Sequence, residues 1–187
     1  TVEYSTVNGS ATADSDLTPI SSTLTFDPGE TEQEITVSVI GDIYDEGRNE
    51  GFSLQLSNPG NAKVVDGEGL GTITDDDTAR LSHLAGPKVL EGDSGTTPAT
   101  FTVTLSTPAA FVVNLDYQLT SGFGDSGAKA GEDFIDSSAS ISFQPGETIQ
   151  FYIVDVIGDT NPEQDEVFHS LISNANVPIS PNSSLGW

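Results

Sequence analysis

The sequence predicts an all-β protein made of two tandem immunoglobulin-like antiparallel β-sandwiches, and three observations support this fold class. Apolar and polar residues alternate over runs of about five to seven residues, as in Phe52 to Leu56, which is the period of a half-buried strand. Gly, Pro, Asn or Asp bounds each run, so turns separate the strands. No stretch of the 187 residues sustains a helical period. Several short strands in roughly 115 residues are typical of an immunoglobulin-type sandwich.

An internal repeat divides the chain into two units. The segment 26–31, F-D-P-G-E-T, returns as 143–148, F-Q-P-G-E-T, at an offset of 117 residues. Asp16 and Asp133 share this offset, and nearby matches drift from it by only a few residues. The repeat predicts one unit at 1–77 and a second at 78–187. Within this chain, the first is expected to lack its opening strands and the second its closing strand.

The predicted strands follow the same order in both units. A tight turn at Pro28-Gly29, and again at Pro145-Gly146, is expected to open one strand in each unit. The alternating apolar positions in unit 1 are Leu24 and Phe26, then Ile35, Val37 and Val39, then Phe52, Leu54 and Leu56. Those in unit 2 are Phe101, Val103 and Leu105, then Leu115 and Tyr117, then Ile141 and Phe143.

One sheet face differs between the units. Unit 1 carries Glu34 and Thr36 where unit 2 carries Phe151 and Ile153. Two interpretations are open: the unit 2 strand turns a different face inward, or it exposes an apolar patch for contact with another domain or chain.

The chain is strongly acidic, with 29 Asp and Glu against 5 Lys and Arg and a formal net charge of −24. Nucleic acids and anionic membranes bind basic surfaces, so neither is expected as a main partner. The carboxylates also repel one another unless counter-ions bind. There is no Cys, so the fold needs no disulfide. No apolar run reaches the length of a membrane span, and direct membrane insertion is not expected.

Three consecutive carboxylates, Asp75-Asp76-Asp77, follow the β-branched pair Ile73-Thr74. A run of like charges is usually solvated. Directly after a strand, however, the three charges are held close together. Because the chain has so few basic residues, a divalent cation is the expected counter-ion. Calcium, with about six to eight oxygen ligands, suits such a site better than magnesium, which prefers few carboxylates and keeps its waters.

Several motifs in sequence order resemble the Calx-beta repeat. In unit 1 they are G-x-A-x-x-x-x-D at 9–16, L-x-F-x-P-G-E-T at 24–31, V-I-G-D at 39–42, F-x-x-x-L-S-N at 52–58 and G-T-I-x-D-D-D at 71–77. In unit 2 the opening signature is V-L-E-G-D-S-G at 89–95, followed by F-T-V-T-L-S at 101–106. Known members of this family are calcium-binding sandwiches of sodium–calcium exchangers, integrin β4 and large secreted bacterial surface proteins. The resemblance therefore implies Ca²⁺ as the cofactor and an extracellular or cell-surface location.

The resemblance also implies that carboxylates at one end of each sandwich hold the ion. The implied metal ligands are Asp16, Asp42, Glu46, Glu50, Asp75, Asp76 and Asp77 in unit 1, and Glu91, Asp133, Asp159, Glu163 and Glu166 in unit 2. The usual Asp-Asp pair is reduced to Gly41-Asp42 and Gly158-Asp159. Unit 1 has no equivalent of Glu91, and unit 2 has no acidic triplet. Fewer ions or weaker binding are therefore expected, with the stronger site in unit 1.

These features predict a non-enzymatic, calcium-binding structural or adhesion module of an extracellular repeat protein or fibre. Its expected partners are calcium ions and neighbouring repeats or identical chains, with an ion at Asp75–Asp77 stiffening the junction. One alternative is a polymer assembled by β-strand donation, because unpaired strand edges accept foreign strands. Another is a calcium-sensing module of a membrane transporter. An enzyme is disfavoured because His83 and His169 are isolated and no phosphate loop or zinc spacing occurs.

Overall fold

The computed structural model describes residues 1–83 and 86–181, and within them the chain is almost entirely β. Ten strands and one short 3₁₀ turn, Gly124–Ser126, make up its regular structure there. All ladders between these strands are antiparallel. The chain forms two compact units, Thr1–Asp76 and Asp77–Trp187. The predicted all-β fold class is confirmed.

The four strands of unit 1 form one sheet in the order β2-β1-β3-β4. They are β1 Val2–Asn8, β2 Ser21–Leu24, β3 Glu50–Ser57 and β4 Glu68–Ile73. Asn8 lies opposite Phe52, and Glu50 lies opposite Ile73. The end of β1, the start of β3 and the end of β4 therefore share one end of this sheet.

Unit 2 contains two three-stranded sheets, in the orders β5-β6-β9 and β10-β7-β8. Their strands are β5 Leu81–His83, β6 Thr96–Leu105, β7 Val113–Thr120, β8 Ser138–Phe143, β9 Ile149–Ile157 and β10 His169–Ser173. Buried side chains of both sheets belong to one hydrophobic cluster, as expected for a sandwich. Residues 182–187 lie outside the described part of the chain.

One predicted strand of unit 1 is wrong. Ile35, Val37 and Val39 align with β9, but in the structure only an isolated bridge between Leu17 and Val39 forms there. Ile35 and Val37 are nevertheless half-buried, whereas Val39 is 53% exposed, so the alternation predicted the inward side chains only in part. The ladder does not form because β9 pairs with β6, and the described part of unit 1 has no strand aligned with β6.

The hydrophobic core lies mainly in unit 2. Tyr152 stacks on Tyr117 and Phe101 with ring centroids 4.1 Å and 5.0 Å away, and Phe134 stacks on Phe168 at 4.6 Å. The hydroxyl of Tyr152 donates a hydrogen bond of 2.7 Å to the side-chain oxygen of Ser170. This bond satisfies the polar tip of a mostly buried ring.

Unit 1 has a much thinner core. Among its described apolar residues, Ala11 and Leu17 are the fully buried ones. Phe26 and Val39 remain 40% and 53% exposed, because one sheet alone leaves one of its faces uncovered.

The outer face of β9 is apolar. Tyr152 points into the core, whereas Phe151 and Ile153 are 60% and 58% exposed. Of the two interpretations of this strand, the structure therefore has the exposed apolar face. A role for that face in contact with another domain or chain stays a prediction.

Both Pro-Gly segments form the predicted tight turns. Gly29 and Gly146 have φ of +98° and +85°, the left-handed conformation that the third position of a type II turn requires. The N–H of Glu147 donates to the carbonyl of Gln144 at 2.9 Å, and the Glu147 carboxylate accepts the N–H of Gln144 at 2.7 Å. Glu30 makes the same pair of bonds with Asp27 in unit 1.

Candidate metal centre

Strand direction brings the unit 1 carboxylates together. Asp16 lies in the loop that follows β1, Glu50 begins β3, and Asp75 follows β4. These three points share one end of the sheet. The loop 41–49, which leads into β3, adds Asp42 and Glu46.

Asp16 and Glu50 form a hydrogen-bonded carboxyl pair. Partial burial raises the pKa of Asp16, but hydrogen bonds from Thr12, Ser15 and Glu50 outweigh it, and the net pKa is lowered. The backbone N–H of Thr12 donates one of these bonds to Asp16 Oδ2, at 2.6 Å. The pKa of Glu50 is raised, first by burial, then by the charge of Asp16 and the hydrogen bond to it. When the pair shares one proton, Glu50 therefore carries it and Asp16 is ionised.

The carboxyl of Glu46 has a strongly raised pKa. Burial and then the negative charges of Asp42, Asp75, Glu50 and Asp16 raise its pKa to about 7. Five of the seven predicted unit 1 ligands thus act on one another. This is the electrostatic signature of carboxylates gathered without a sufficient counter-charge.

Backbone N–H groups orient two of these side chains. The N–H of Tyr44 donates to Asp42 Oδ1 at 2.7 Å, and the N–H of Gly47 donates to Asp75 Oδ2 at 3.1 Å. Asp76 is exposed and Asp77 is half-buried. Within the triplet, Asp75 is tied to the cluster by this hydrogen bond and by the effect of its charge on Glu46.

Among the described residues, it is in unit 2 that three carboxylates come close enough to hold one metal ion. Asp133, Glu163 and Glu166 place one carboxylate oxygen each within 4.8 Å of one another. Burial, a hydrogen bond to Asp133 and the charges of Asp133 and Glu163 raise the pKa of Glu166. Burial and then the charges of Asp133, Asp159 and Glu91 raise the pKa of Glu163. All five predicted unit 2 ligands thus take part in this cluster.

The acidic loops of the two units have equivalent backbone structure. In unit 1 the N–H of Asp16 donates to the carbonyl of Thr12 at 3.0 Å, while the Asp16 carboxylate accepts the Thr12 N–H. In unit 2 the N–H of Asp133 donates to the carbonyl of Lys129 at 2.9 Å, and the Asp133 carboxylate accepts the Lys129 N–H at 2.7 Å. Thr12 and Lys129 therefore occupy the same position. The residue that precedes this position is a buried alanine in both loops: Ala11 in unit 1 and Ala128 in unit 2.

The sequence alone did not point to three residues around these clusters. Asp45 lies beside Glu46, is 7% exposed, and accepts the N–H of Gly47 at 2.8 Å. The aligned position in unit 2 is Pro162, so the repeat gave no signal for Asp45. Lys129 and Arg48 lower the pKa of neighbouring carboxyls. These two basic residues lie near the carboxylates because of how the loops fold. Hydrophobic alternation and motif spacing in the sequence do not predict loop folding.

The donor set fits a hard cation. Each cluster offers carboxylate oxygens from separate loops, and its excess negative charge raises carboxyl pKa values. Calcium binds such sets of oxygens in flexible geometry. A third carboxylate beside the other two favours a cation over the two-carboxylate arrangement of a glycosidase.

Comparison with protein families decides the classification. The model of the Calx-beta domain matches residues 1–79 and 88–184. The chain belongs to the Calx-beta family. This confirms the resemblance read from the motifs and, with it, Ca²⁺ as the cofactor of the family to which the chain belongs. Which carboxylates hold the ion stays a prediction.

The chain spans only a small part of the length of the relatives that it matches. The chain is 30% identical over 187 residues to sodium/calcium exchanger 1 of Rattus norvegicus, covering 89% of the chain and 19% of the exchanger. It is 29% identical over 170 residues to adhesion G-protein coupled receptor V1 of Danio rerio, covering 86% of the chain and 2% of the receptor. In the described part of this Calx-beta chain, no helix is both long and apolar enough to cross a membrane.

Two solved structures also resemble the chain. CBD12 from CALX1.2 has a TM-score of 0.43 and 25% identity, covering 98% of this chain and 70% of the other. The apo form of the Calx CBD1 domain has a TM-score of 0.47 and 22% identity, covering 57% of this chain and 91% of the other.

Proposed function

We propose that the chain is a non-enzymatic Calx-beta module in which each unit binds calcium at its acidic end, and in which the ion stiffens the loops it joins. The observation that carries this proposal is the convergence of Asp133, Glu163 and Glu166, with oxygens within 4.8 Å of one another and raised carboxyl pKa values. A divalent cation stabilises crowded carboxylates of this kind because its charge offsets their mutual repulsion.

In this function, the protein orients the carboxylates and supplies their negative charge. Backbone N–H groups hold Asp16, Asp42, Asp133 and Asp159 at their positions, the last through a 2.6 Å bond from Asn161. The remaining oxygens of these carboxylates can then face a shared ion. Bound calcium would supply the positive charge that the loops lack, and this would join loops from different strands.

In its cellular setting, the module is proposed to be structural and extracellular, part of a repeat protein or fibre that calcium rigidifies. Calcium at Asp75–Asp77 as a stiffener of the junction belongs to this proposal. The likeness to sodium/calcium exchanger 1 favours a second candidate, a calcium-sensing module of a transporter. The two differ in affinity: a sensor responds to about 10⁻⁷–10⁻⁵ M calcium, and an extracellular structural site to about 10⁻⁴–10⁻³ M.

Calorimetric titration and thermal unfolding of the whole chain test the proposal. Calcium at about one hundred times its dissociation constant should raise the melting temperature of a unit by roughly 10–20 °C relative to chelator. The double variant Asp133→Asn, Glu166→Gln should remove the calcium effect on unit 2. The control variant Asp155→Asn removes one charge from the outer face of β9 and should keep the calcium effect. An identical melting curve in calcium and in chelator contradicts the proposal.

A further inference from the structure

The strand β9 lies at the edge of its sheet and presents an apolar outer face to solvent. We propose that a second copy of this chain pairs with β9, so that two β9 strands run antiparallel about a two-fold axis at Phe151. The interface lies in unit 2 and extends one sheet of that unit across two molecules. It does not depend on calcium binding and therefore stands apart from the proposed function.

One side of β9 is open over most of its length. In the sheet order β5-β6-β9, the described strands pair with β9 through β6 alone. Near the end of β9, the segment 133–135 covers the other side through hydrogen bonds of 2.9 Å to Asp155 and Ile157. Residues 149–153 precede this covered part, and among the described residues no ladder or bridge forms along their outer side.

The open part of β9 directs backbone groups and apolar side chains outward. The two bonds near its end use the carbonyl of Asp155 and the N–H of Ile157, so these residues turn their backbone groups away from β6. Because the direction alternates along a strand, Ile149, Phe151 and Ile153 do the same. Their side chains are 52%, 60% and 58% exposed. An uncovered apolar edge of this kind readily accepts another strand.

The side chains along this edge are self-complementary. Phe151 has an isoleucine two residues before it, Ile149, and another two residues after it, Ile153. When Phe151 of each copy lies opposite the other, Ile149 of one copy lies opposite Ile153 of the second. A two-fold interface requires such a match, because each copy contributes the same patch. The opposed residues then exchange N–H···O bonds along the open edge.

The absence of charge on this edge favours a second copy as the occupant. The run 149–154, I-Q-F-Y-I-V, contains no charged residue, so its complement is an uncharged apolar strand rather than a basic segment. A second β9 is such a strand. Unit 1 has Glu32 and Glu34 where unit 2 has Ile149 and Phe151, and the same pairing would place Glu34 opposite Glu34. Like charges directly opposite destabilise a strand pair, so the pairing suits unit 2.

The net charge of the chain opposes its association. Each copy carries a formal charge of −24, and dissolved salt screens the repulsion between two copies. Salt also strengthens apolar contacts rather than weakening them. We therefore expect a dimer that tightens as the salt concentration rises, whereas an interface built on ion pairs would weaken.

Sedimentation of the whole chain in chelator and in about 0.5 M NaCl tests the association. Phe151→Glu places on β9 the residue type that unit 1 has there, and it should raise the dissociation constant of the dimer about tenfold or more. The matched control Phe123→Glu makes the same change at a loop residue that is 85% exposed, and it should leave the dimer unchanged. Circular dichroism checks that both variants keep their β structure.

Introduced cysteines test the register, because the chain has none of its own. Opposed residues of an antiparallel pair have Cα atoms about 5.5 Å apart, within the range of a disulfide. With oxidised glutathione, the double variant Ile149→Cys, Ile153→Cys should form disulfide-linked dimers. Each single variant should form far fewer, since its two cysteines lie roughly 14 Å apart across the two-fold axis.

Three results would overturn parts or all of this proposal. A chain that stays monomeric at about 500 μM in high salt overturns it and leaves a strand of another protein as the remaining occupant. Equal dissociation constants for F151E and F123E overturn the location on β9. Single cysteine variants that cross-link as fast as the double variant overturn the register. All these measurements are made without calcium, so a failure of the proposed function does not change their outcome.

Discussion

At the scale of one residue, the raised pKa of Glu46 shows the electrostatic repulsion among the gathered carboxylates of unit 1. A carboxyl that is deprotonated near pH 4.5 in an unfolded chain stays protonated in the folded unit up to a pKa of about 7. Burial and four negative neighbours together cause this shift. The folded unit therefore takes up a proton that the unfolded chain releases, in the pH window between these two values.

This shift predicts a pH dependence of stability in chelator. Because the folded state binds more protons than the unfolded state between about pH 4.5 and 7, the stability of unit 1 should fall as the pH rises through this window. After solvent screening, the loss is on the order of 1 kcal/mol. Denaturant titrations of the whole chain at pH 5 and pH 7.5, followed by NMR at Gly47, measure it.

Glu46→Gln is the control for this prediction, because the amide keeps the shape and removes the titrating group. The variant should lose most of the difference between pH 5 and pH 7.5. Saturating calcium should reverse the trend in the unsubstituted chain, since the ion binds the deprotonated carboxylates. Stability that is flat or rises with pH in chelator would contradict the assignment of this pKa to Glu46.

At the scale of structural elements, the acidic loops of the two units differ in how closely other backbone atoms approach them. The family pattern has an Asp-Asp pair where this chain has Gly-Asp at 41–42 and 158–159. A Cβ added to Gly158 would lie 2.6 Å from the carbonyl oxygen of Glu91 and 2.7 Å from that of Gly92. A Cβ added to Gly41 would meet no atom within 4 Å. The same missing carboxylate can therefore be restored in one loop and not in the other.

Gly41→Asp should increase the calcium affinity of unit 1 by roughly three- to tenfold, because it adds a carboxylate to the set of ligands. Gly158→Asp should instead destabilise unit 2 by about 1–3 kcal/mol, since two backbone carbonyls must move. Calcium titration at Gly47 and denaturant unfolding measure the two effects. Gly69→Asp, in an open position on β4, is the charge-matched control and should do neither. A stable Gly158→Asp chain with tighter calcium binding would overturn this reasoning.

Sequence patterns predicted the elements better than the contacts between them. Alternation placed β3, β6, β7 and β8, and the Pro-Gly turns followed from residues that can adopt a positive φ. The strand predicted at Ile35–Val39 was wrong because a ladder needs a partner, and one strand's own sequence does not reveal whether its partner is present. The site was partly predictable in the same sense. The repeat identified carboxylates in loops that do converge, whereas Asp45 and Lys129 differ between the units and so carried no repeated signal.

At the scale of the whole molecule, the two units differ in how much apolar surface they bury. The core cluster of unit 2 includes aromatic side chains of both sheets. Unit 1 contributes Ala11 and Leu17 to the fully buried apolar residues that the structure describes. Because apolar burial is the main favourable term in folding, unit 2 should be the more stable unit.

In chelator we therefore expect two unfolding transitions, with unit 1 unfolding first. Differential scanning calorimetry counts the transitions, and hydrogen exchange of β3 and β7 amides assigns them to the units. Phe134→Leu, which leaves a cavity in the unit 2 core, should lower the upper transition alone. A single transition, with equal exchange protection of β3 and β7, would contradict independent units.

The pairing of β6 with β9 also constrains how unit 2 is made. Thr96 lies opposite Ile157 and Thr104 opposite Ile149, so the two strands meet only after β7 and β8 have been synthesised. At roughly 5–20 residues per second, a ribosome leaves the β6 edge without this partner for several seconds. Thr96–Leu105 contains no charged residue that would discourage pairing with other chains during that time, and Pro98 is its one residue without a backbone N–H to pair. The edge of β6 that later pairs with β9 is therefore open to misassembly while the protein is being made.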